Sequence, residues 1–125
     1  MCSSDNDEYA DTDAKIRAMA ETPFINGVVV TVNRATHKPS MMPSEQTEAL
    51  MALVEESGDE LGINITWQAV GGGSDANLTA VLGIPTIDGL GPVGAGFHGI
   101  DEYLELETIE PRIQLLKKVL TKLAG

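Results

Sequence analysis

The chain has almost no cysteine, little positive charge and no long apolar run, and each shortage closes off a class of protein. Cys2 is the only cysteine among 125 residues. No internal disulfide and no cysteine zinc cluster can therefore form, and nothing ties the chain to an oxidising compartment. Eight basic residues stand against 19 acidic ones, for a net charge of −11. A field of that sign repels phosphate backbones and anionic lipid headgroups, which sets nucleic acid and membrane surfaces aside as partners. Apolar stretches such as Gly27 to Val32 fall far short of the ~20 residues that a spanning helix needs. The first residues are acidic where a signal peptide is basic, so a cytoplasmic protein is expected.

What is present suffices for a core. Hydrophobic residues make up 42% and charged residues 22% of the chain, the balance of an ordinary globular domain, and the length suits a single one. Residues 1–11 form an acidic segment, with Asp5, Asp7, Glu8 and Asp11, whose composition is that of a solvated tail. Its carboxylates lack the glycine and terminal glutamate of a calcium loop. A short helix is expected from Thr12 to Glu21, ended by Thr22-Pro23. The β-branched run Gly27 to Arg34 reads as a strand, and Ala35 to Pro43 as a linker.

Ser44 stands as N-cap to a helix running to about Ser57, with Leu50, Leu53 and Val54 as its buried stripe and Gly58 as its stop. Ile63 to Val70 alternates apolar and polar residues, as a half-buried strand does. Ala76 to Leu82 reads as a two-turn helix closed by Gly83, and Ile84 to Ile87 as a short buried strand. Gly89 to Gly99 is too rich in glycine for regular structure. Ile109 to Ala124, with Pro111 in its first turn, is an amphipathic helix presenting Ile113, Leu116, Val119, Leu120 and Leu123 on one face. The alternation of strands and helices predicts an α/β fold with an open, largely parallel sheet.

Two places could carry chemistry. Gly71, Gly72, Gly73, Ser74 and Asp75 form a glycine-rich turn from a strand into a helix, where backbone N–H groups can meet a carboxylate or phosphate. A plain turn capped by Ser74 or Asp75 accounts for the same residues. No lysine follows the glycines, so this is not a nucleotide P-loop, and Pro92 interrupts the dinucleotide-like string Gly89 to Gly94. His98 lies in Gly94-Ala95-Gly96-Phe97-His98-Gly99, among small neighbours that leave an imidazole accessible to a metal, although a lone histidine is more often structural. His37 falls in the linker, where a solvated side chain is expected. Glu55-Glu56 sits on a helix, with its two side chains about 100° apart.

Taken in order, Gly71-Gly72-Gly73-Ser74-Asp75-Ala76-Asn77, Gly83-Ile84-Pro85-Thr86-Ile87-Asp88-Gly89-Leu90-Gly91, Gly96-Phe97-His98-Gly99 and Glu102-Tyr103-Leu104 resemble the C-terminal part of a dinuclear-zinc metallopeptidase family. Its members include glutamate carboxypeptidase, aminoacylase and succinyl-diaminopimelate desuccinylase, and the resemblance is strongest to the glutamate carboxypeptidase branch. The resemblance implies that residues 12–38 are a remnant of a lid domain that often mediates dimerisation, and that residues 39–125 are the C-terminal part of the catalytic domain. It implies that His98 ligates one zinc and that Gly71 to Asp75 line the substrate pocket. The family's remaining ligands, a His-x-Asp pair, a bridging aspartate and a Glu-Glu pair that supplies the general base, belong to the N-terminal part of that domain. No His-x-Asp occurs in this chain. The implied function is part of a zinc-dependent hydrolase of small peptides or N-acyl amino acids, inactive by itself and associating through unpaired strands into homo-oligomers. The competing expectation is a free-standing binding or assembly module that uses the glycine loop to hold a small anion or a partner chain.

Overall fold

A computed structural model describes residues 6–125; Cys2 and Asp5 lie outside them. The chain divides into two compact units, Met1–Met42 with Ala69–Ile84 and Pro43–Gln68 with Pro85–Gly125. The elements in order are helix α1 (Asn6–Glu21), α2 (Glu45–Asp59), α3 (Ala76–Ala80), strands β1 (Gly94–Ala95) and β2 (Tyr103–Leu104), a 3₁₀ turn at Leu106–Thr108 and helix α4 (Ile109–Ala124). The fold is thus mixed, with helices predominating over a two-stranded antiparallel sheet that pairs Gly94 with Leu104 and Ala95 with Tyr103.

The expected parallel sheet is not formed among the described residues. Residues 28–32, 63–70 and 84–87, read as strands, run without a ladder. Their composition favours extended backbone, but a strand is completed only by a hydrogen-bonding neighbour, and a parallel sheet needs cover on both faces. Val29 is 90% exposed, so this segment lacks such cover. β1 in turn falls inside the stretch expected to be irregular.

In the first unit α1 begins at Asn6 rather than Thr12, extending into the acidic segment. Asp7 and Glu8 occupy its first turn, where carboxylates meet the positive end of the helix dipole. Asp11 pairs with Lys15 at 2.5 Å and Asp13 with Arg17 at 2.9 Å, both with the acid one turn before the base, the favourable order. Ile16, Met19 and Ala20 of α1 line an apolar hollow together with Phe24, Val28 and Val30. The helix expected to reach Leu82 stops at Ala80 as α3 and continues only as turns.

The second unit holds the buried core: Val54, Leu115 and Val119, with Leu53, Ile63, Ile65, Trp67, Ile87 and Leu90 packed around it. Ser44 caps α2 as expected, its Oγ accepting the Thr47 N–H at 3.1 Å. Gly58 does not stop that helix. A Cβ there would stand 2.6 Å from Ile65 Cγ1 and 2.7 Å from the Ile63 carbonyl oxygen, so its bare backbone is what lets the following segment fold back on α2. Along that segment Ile63, Ile65 and Trp67 are half-buried while Asn64, Thr66 and Gln68 are exposed. The period-2 pattern therefore survives in burial without a ladder. α4 has the expected extent, and of its expected face Val119 is buried, but it is joined inward by Leu115 rather than by Ile113, Leu116, Leu120 and Leu123, which are exposed.

An ionic clasp joins α2 to α4. Glu60 pairs with Lys118 and, at 2.7 Å, with Lys122, which also reaches Glu56 at 3.0 Å. The hydrogen bonds from Lys118 and Lys122 lower the Glu60 carboxyl from 4.5 to about 2. A carboxyl lowered on folding adds stability that is complete above its unfolded value and is lost as pH falls toward the folded one. Urea midpoints should therefore decline between pH 4.5 and 2 more steeply for the natural chain than for Glu60→Gln. Parallel declines would show that the clasp contributes nothing.

Candidate functional site

The glycine loop belongs to the first unit and His98 to the second. Gly71, Gly72 and Gly73 are exposed, Ser74 is half-buried and Asp75 is exposed. The turn is organised by side chains. Asn77 Oδ1 accepts the Ser74 N–H at 2.9 Å, and Ser74 Oγ accepts the Ala76 N–H at 3.2 Å. Ser74 thus serves as a cap, whereas Asp75 makes no capping bond.

Asp75 instead pairs with Lys38, Nζ to Oδ1 at 2.8 Å, and the Lys38 ammonium lowers its carboxyl below the usual range. The lysine stem lies close against the loop, its Cδ 3.3 Å from where a Cβ on Gly73 would be. Asn77 Nδ2 donates to the Pro39 carbonyl at 2.7 Å. Lys38, Pro39 and Asn77 are therefore part of this site; sequence reasoning passed over the first two and named Asn77 only as the end of the resembling motif. The only local signal was a basic residue before a proline in the linker, and the contacts of Lys38 and Pro39 lie 37 and 38 residues away.

This arrangement changes the chemistry expected of the loop. α3 is five residues long, too short to add much dipole, and the Ser74 and Ala76 amides are already engaged within the turn. What the loop offers is exposed glycine backbone beside a cation that is partnered by Asp75. His37, in the same unit, lies against Tyr9 in a tilted contact, with ring centroids 4.4 Å apart and planes 41° apart. Arg34 lies over the same ring at 5.5 Å and pairs with Asp13 at 2.9 Å. His37 is thus exposed, as expected, with one face of its ring against Tyr9.

His98 is exposed at the tip of the β1–β2 hairpin. Its φ of 65° makes it the one non-glycine residue with positive φ among the described residues, a conformation that costs an L-residue roughly 1–2 kcal/mol. The tip closes through the Gly99 N–H to the Gly96 carbonyl at 2.9 Å and the Glu102 N–H to the Gly99 carbonyl at 3.3 Å. A Cβ on Gly96 would meet the Asp101 carbonyl oxygen at 2.9 Å, so only glycine fits there. The His98 N–H donates to Glu102 Oε2 at 3.2 Å.

Among the described residues no three His, Cys, Asp or Glu side chains gather as a metal site. A single imidazole fits one coordination position and does not make a zinc centre. Glu55 and Glu56 are engaged elsewhere: Glu55 accepts the Trp67 indole N–H at 2.6 Å and Glu56 pairs with Lys122. No helix among the described residues is long and apolar enough to cross a membrane.

Residues 7–122 match peptidase family M20/M25/M40. Carboxypeptidase G2 of Pseudomonas sp. (strain RS-16) is 29% identical over 99 residues, covering 78% of this chain and 23% of that enzyme. Succinyl-diaminopimelate desuccinylase of Variovorax paradoxus (strain S110) is 35% identical over 81 residues, 65% of this chain and 20% of the enzyme. The same enzyme of Cupriavidus necator is 32% identical over 89 residues, 70% and 22%. The chain thus spans about a fifth to a quarter of the curated relatives it matches. No solved structure matches it.

Proposed function

We propose, since this chain belongs to peptidase family M20/M25/M40, that it is the C-terminal portion of a cytoplasmic zinc-dependent hydrolase cleaving an amide bond of a small peptide or N-acyl amino acid. The observation that carries the reading is a family match over residues 7–122, which takes in the glycine loop, the His98 hairpin and the terminal helix together. Within it, residues 12–38 are the remnant of the lid domain and residues 39–125 the last part of the catalytic domain.

His98 supplies one zinc ligand in the complete enzyme, and Gly71 to Asp75 line the pocket, where exposed backbone amides can hold a substrate carboxylate or carbonyl. Lys38 adds a fixed positive charge beside that backbone. In the complete enzyme the segments at 63–70 and 84–87 would pair as strands of a parallel sheet whose remaining strands, like the missing zinc ligands and the general base, come from the N-terminal part of the catalytic domain, while 28–32 would pair within the lid. The test is zinc retention and amidase activity of this chain alone and after refolding with such an N-terminal part. Activity in the mixture supports the reading, and a mixture without it favours a free-standing binding module.

The exposed apolar residues of 28–32 and 63–70, Val29 and Val70 among them, also lead us to propose that the isolated chain associates with itself. Sedimentation velocity across the micromolar range should show species larger than the monomer. A strictly monomeric, cooperatively folded chain would overturn this.

A further inference from the structure

We propose that Glu102 is a positioning residue for His98: by accepting the His98 N–H at 3.2 Å, its carboxylate holds that residue in left-handed backbone and so fixes how the hairpin presents the imidazole. The proposal rests on the reading of His98 as a site residue and adds a device to it. A histidine left to itself abandons positive φ, because its Cβ crowds the neighbouring carbonyl there. Such a conformation persists only where surrounding structure enforces it, and it concentrates at functional positions.

Three constraints enforce it here. The pairing of Gly94 with Leu104 and Ala95 with Tyr103 pins both ends of the tip. Gly96, with φ of 76° and the Asp101 carbonyl 2.9 Å from where its Cβ would be, turns the chain at the entry. The bonds from Gly99 to Gly96 and from Glu102 to Gly99 close the turn beyond it. All of these are backbone constraints acting around His98, whereas the Glu102 carboxylate acts on the His98 amide itself. A hydrogen bond with a charged acceptor is among the stronger kinds, and four residues of separation let a glutamate reach back across so tight a tip.

The test is nuclear magnetic resonance of the full chain carrying Glu102→Ala or Glu102→Gln. Positive φ brings the amide and α hydrogens of one residue close together, so the natural chain should give a strong intraresidue NOE at His98. Glu102→Ala should lose that signature, and the His98 amide should exchange roughly tenfold faster, as expected for loss of one charge-assisted bond. Glu102→Gln keeps an acceptor oxygen and should restore both, whereas Glu102→Met, which fills similar space without an oxygen acceptor, should behave like the alanine variant. In a His98→Gly background, where positive φ costs nothing, Glu102→Ala should leave the exchange of the Gly99 amide unchanged. A strong NOE retained at His98 in Glu102→Ala, or a Gln variant behaving like Ala, would overturn the proposal. These readouts need no metal. A His98→Ala chain that still supports full activity after refolding with the N-terminal part would instead overturn the site reading while leaving the positioning result standing.

Discussion

Replacing Leu115 with alanine should destabilise the second unit by about 2–5 kcal/mol, while the same change at its neighbour Leu116 should cost less than about 1 kcal/mol. Leu115 is completely buried and forms the core with Val54 and Val119, whereas Leu116 is 44% exposed. With only Val54, Leu115 and Val119 as buried apolar side chains among the described residues, the unit has few others to take up a cavity, which puts the cost toward the upper part of that range. Trp67, the single tryptophan, packs against this core, so its fluorescence during urea unfolding reports on this unit. Equal losses for the two variants at low protein concentration would mean that α4 buries its other face. Equal losses only at high concentration would mean that Ile113, Leu116 and Leu120 are covered by a second copy.

That contrast marks where sequence reasoning stopped. The extent of α4 was legible because Pro111 suits a first turn and apolar residues recur at helical spacing. Its buried face was not, because the helix carries two apolar stripes. The longer one, Ile113, Leu116, Val119, Leu120 and Leu123, drew the assignment, and α2 with the Ile63–Trp67 segment covers a face shifted to Leu115 and Val119, so Val119 alone of the expected set is buried. Ser44 announced its helix through local chemistry alone, a hydroxyl three residues before an amide in need of an acceptor. Gly58 misled because glycine more often ends a helix than admits a neighbour. The strands misled for a related reason: composition sets backbone extension, but pairing depends on residues that are not local.

The candidate site divides the same way. Gly71 to Asp75 and His98 stood out as motifs because glycine clusters and an accessible histidine are local signals. Lys38 and Asn77 did not, since their contacts to Asp75 and Pro39 cross most of the first unit's sequence. The positive φ of His98 and its bond to Glu102 are properties of a closed tip, and the closing Gly96 could be read only as another glycine in a loose loop. Local chemistry names residues, and the long-range contacts decide what they do.

The isolated chain should hold far less than one zinc per molecule after dialysis and should not hydrolyse N-acyl amino acids or glutamyl peptides. A catalytic zinc needs about three protein ligands, and no cluster of three candidate ligands exists among the described residues. If His98 is the one zinc ligand proposed for this chain, refolding with the N-terminal part of a family catalytic domain should raise zinc content and amidase activity together. In that mixture His98→Ala should lower activity by more than the roughly 10–100-fold typical of losing an outer-sphere partner. In the isolated chain the same variant should shift stability by no more than about 0.5 kcal/mol, since the side chain is exposed and supports little packing. If the chain alone retained stoichiometric zinc and hydrolysed these substrates through His98, a self-sufficient site would exist and the fragment reading would fall. Glu55 and Glu56 would then have to be reconsidered as ligands, and zinc binding there would have to break the Glu55–Trp67 hydrogen bond and the Glu56–Lys122 ion pair.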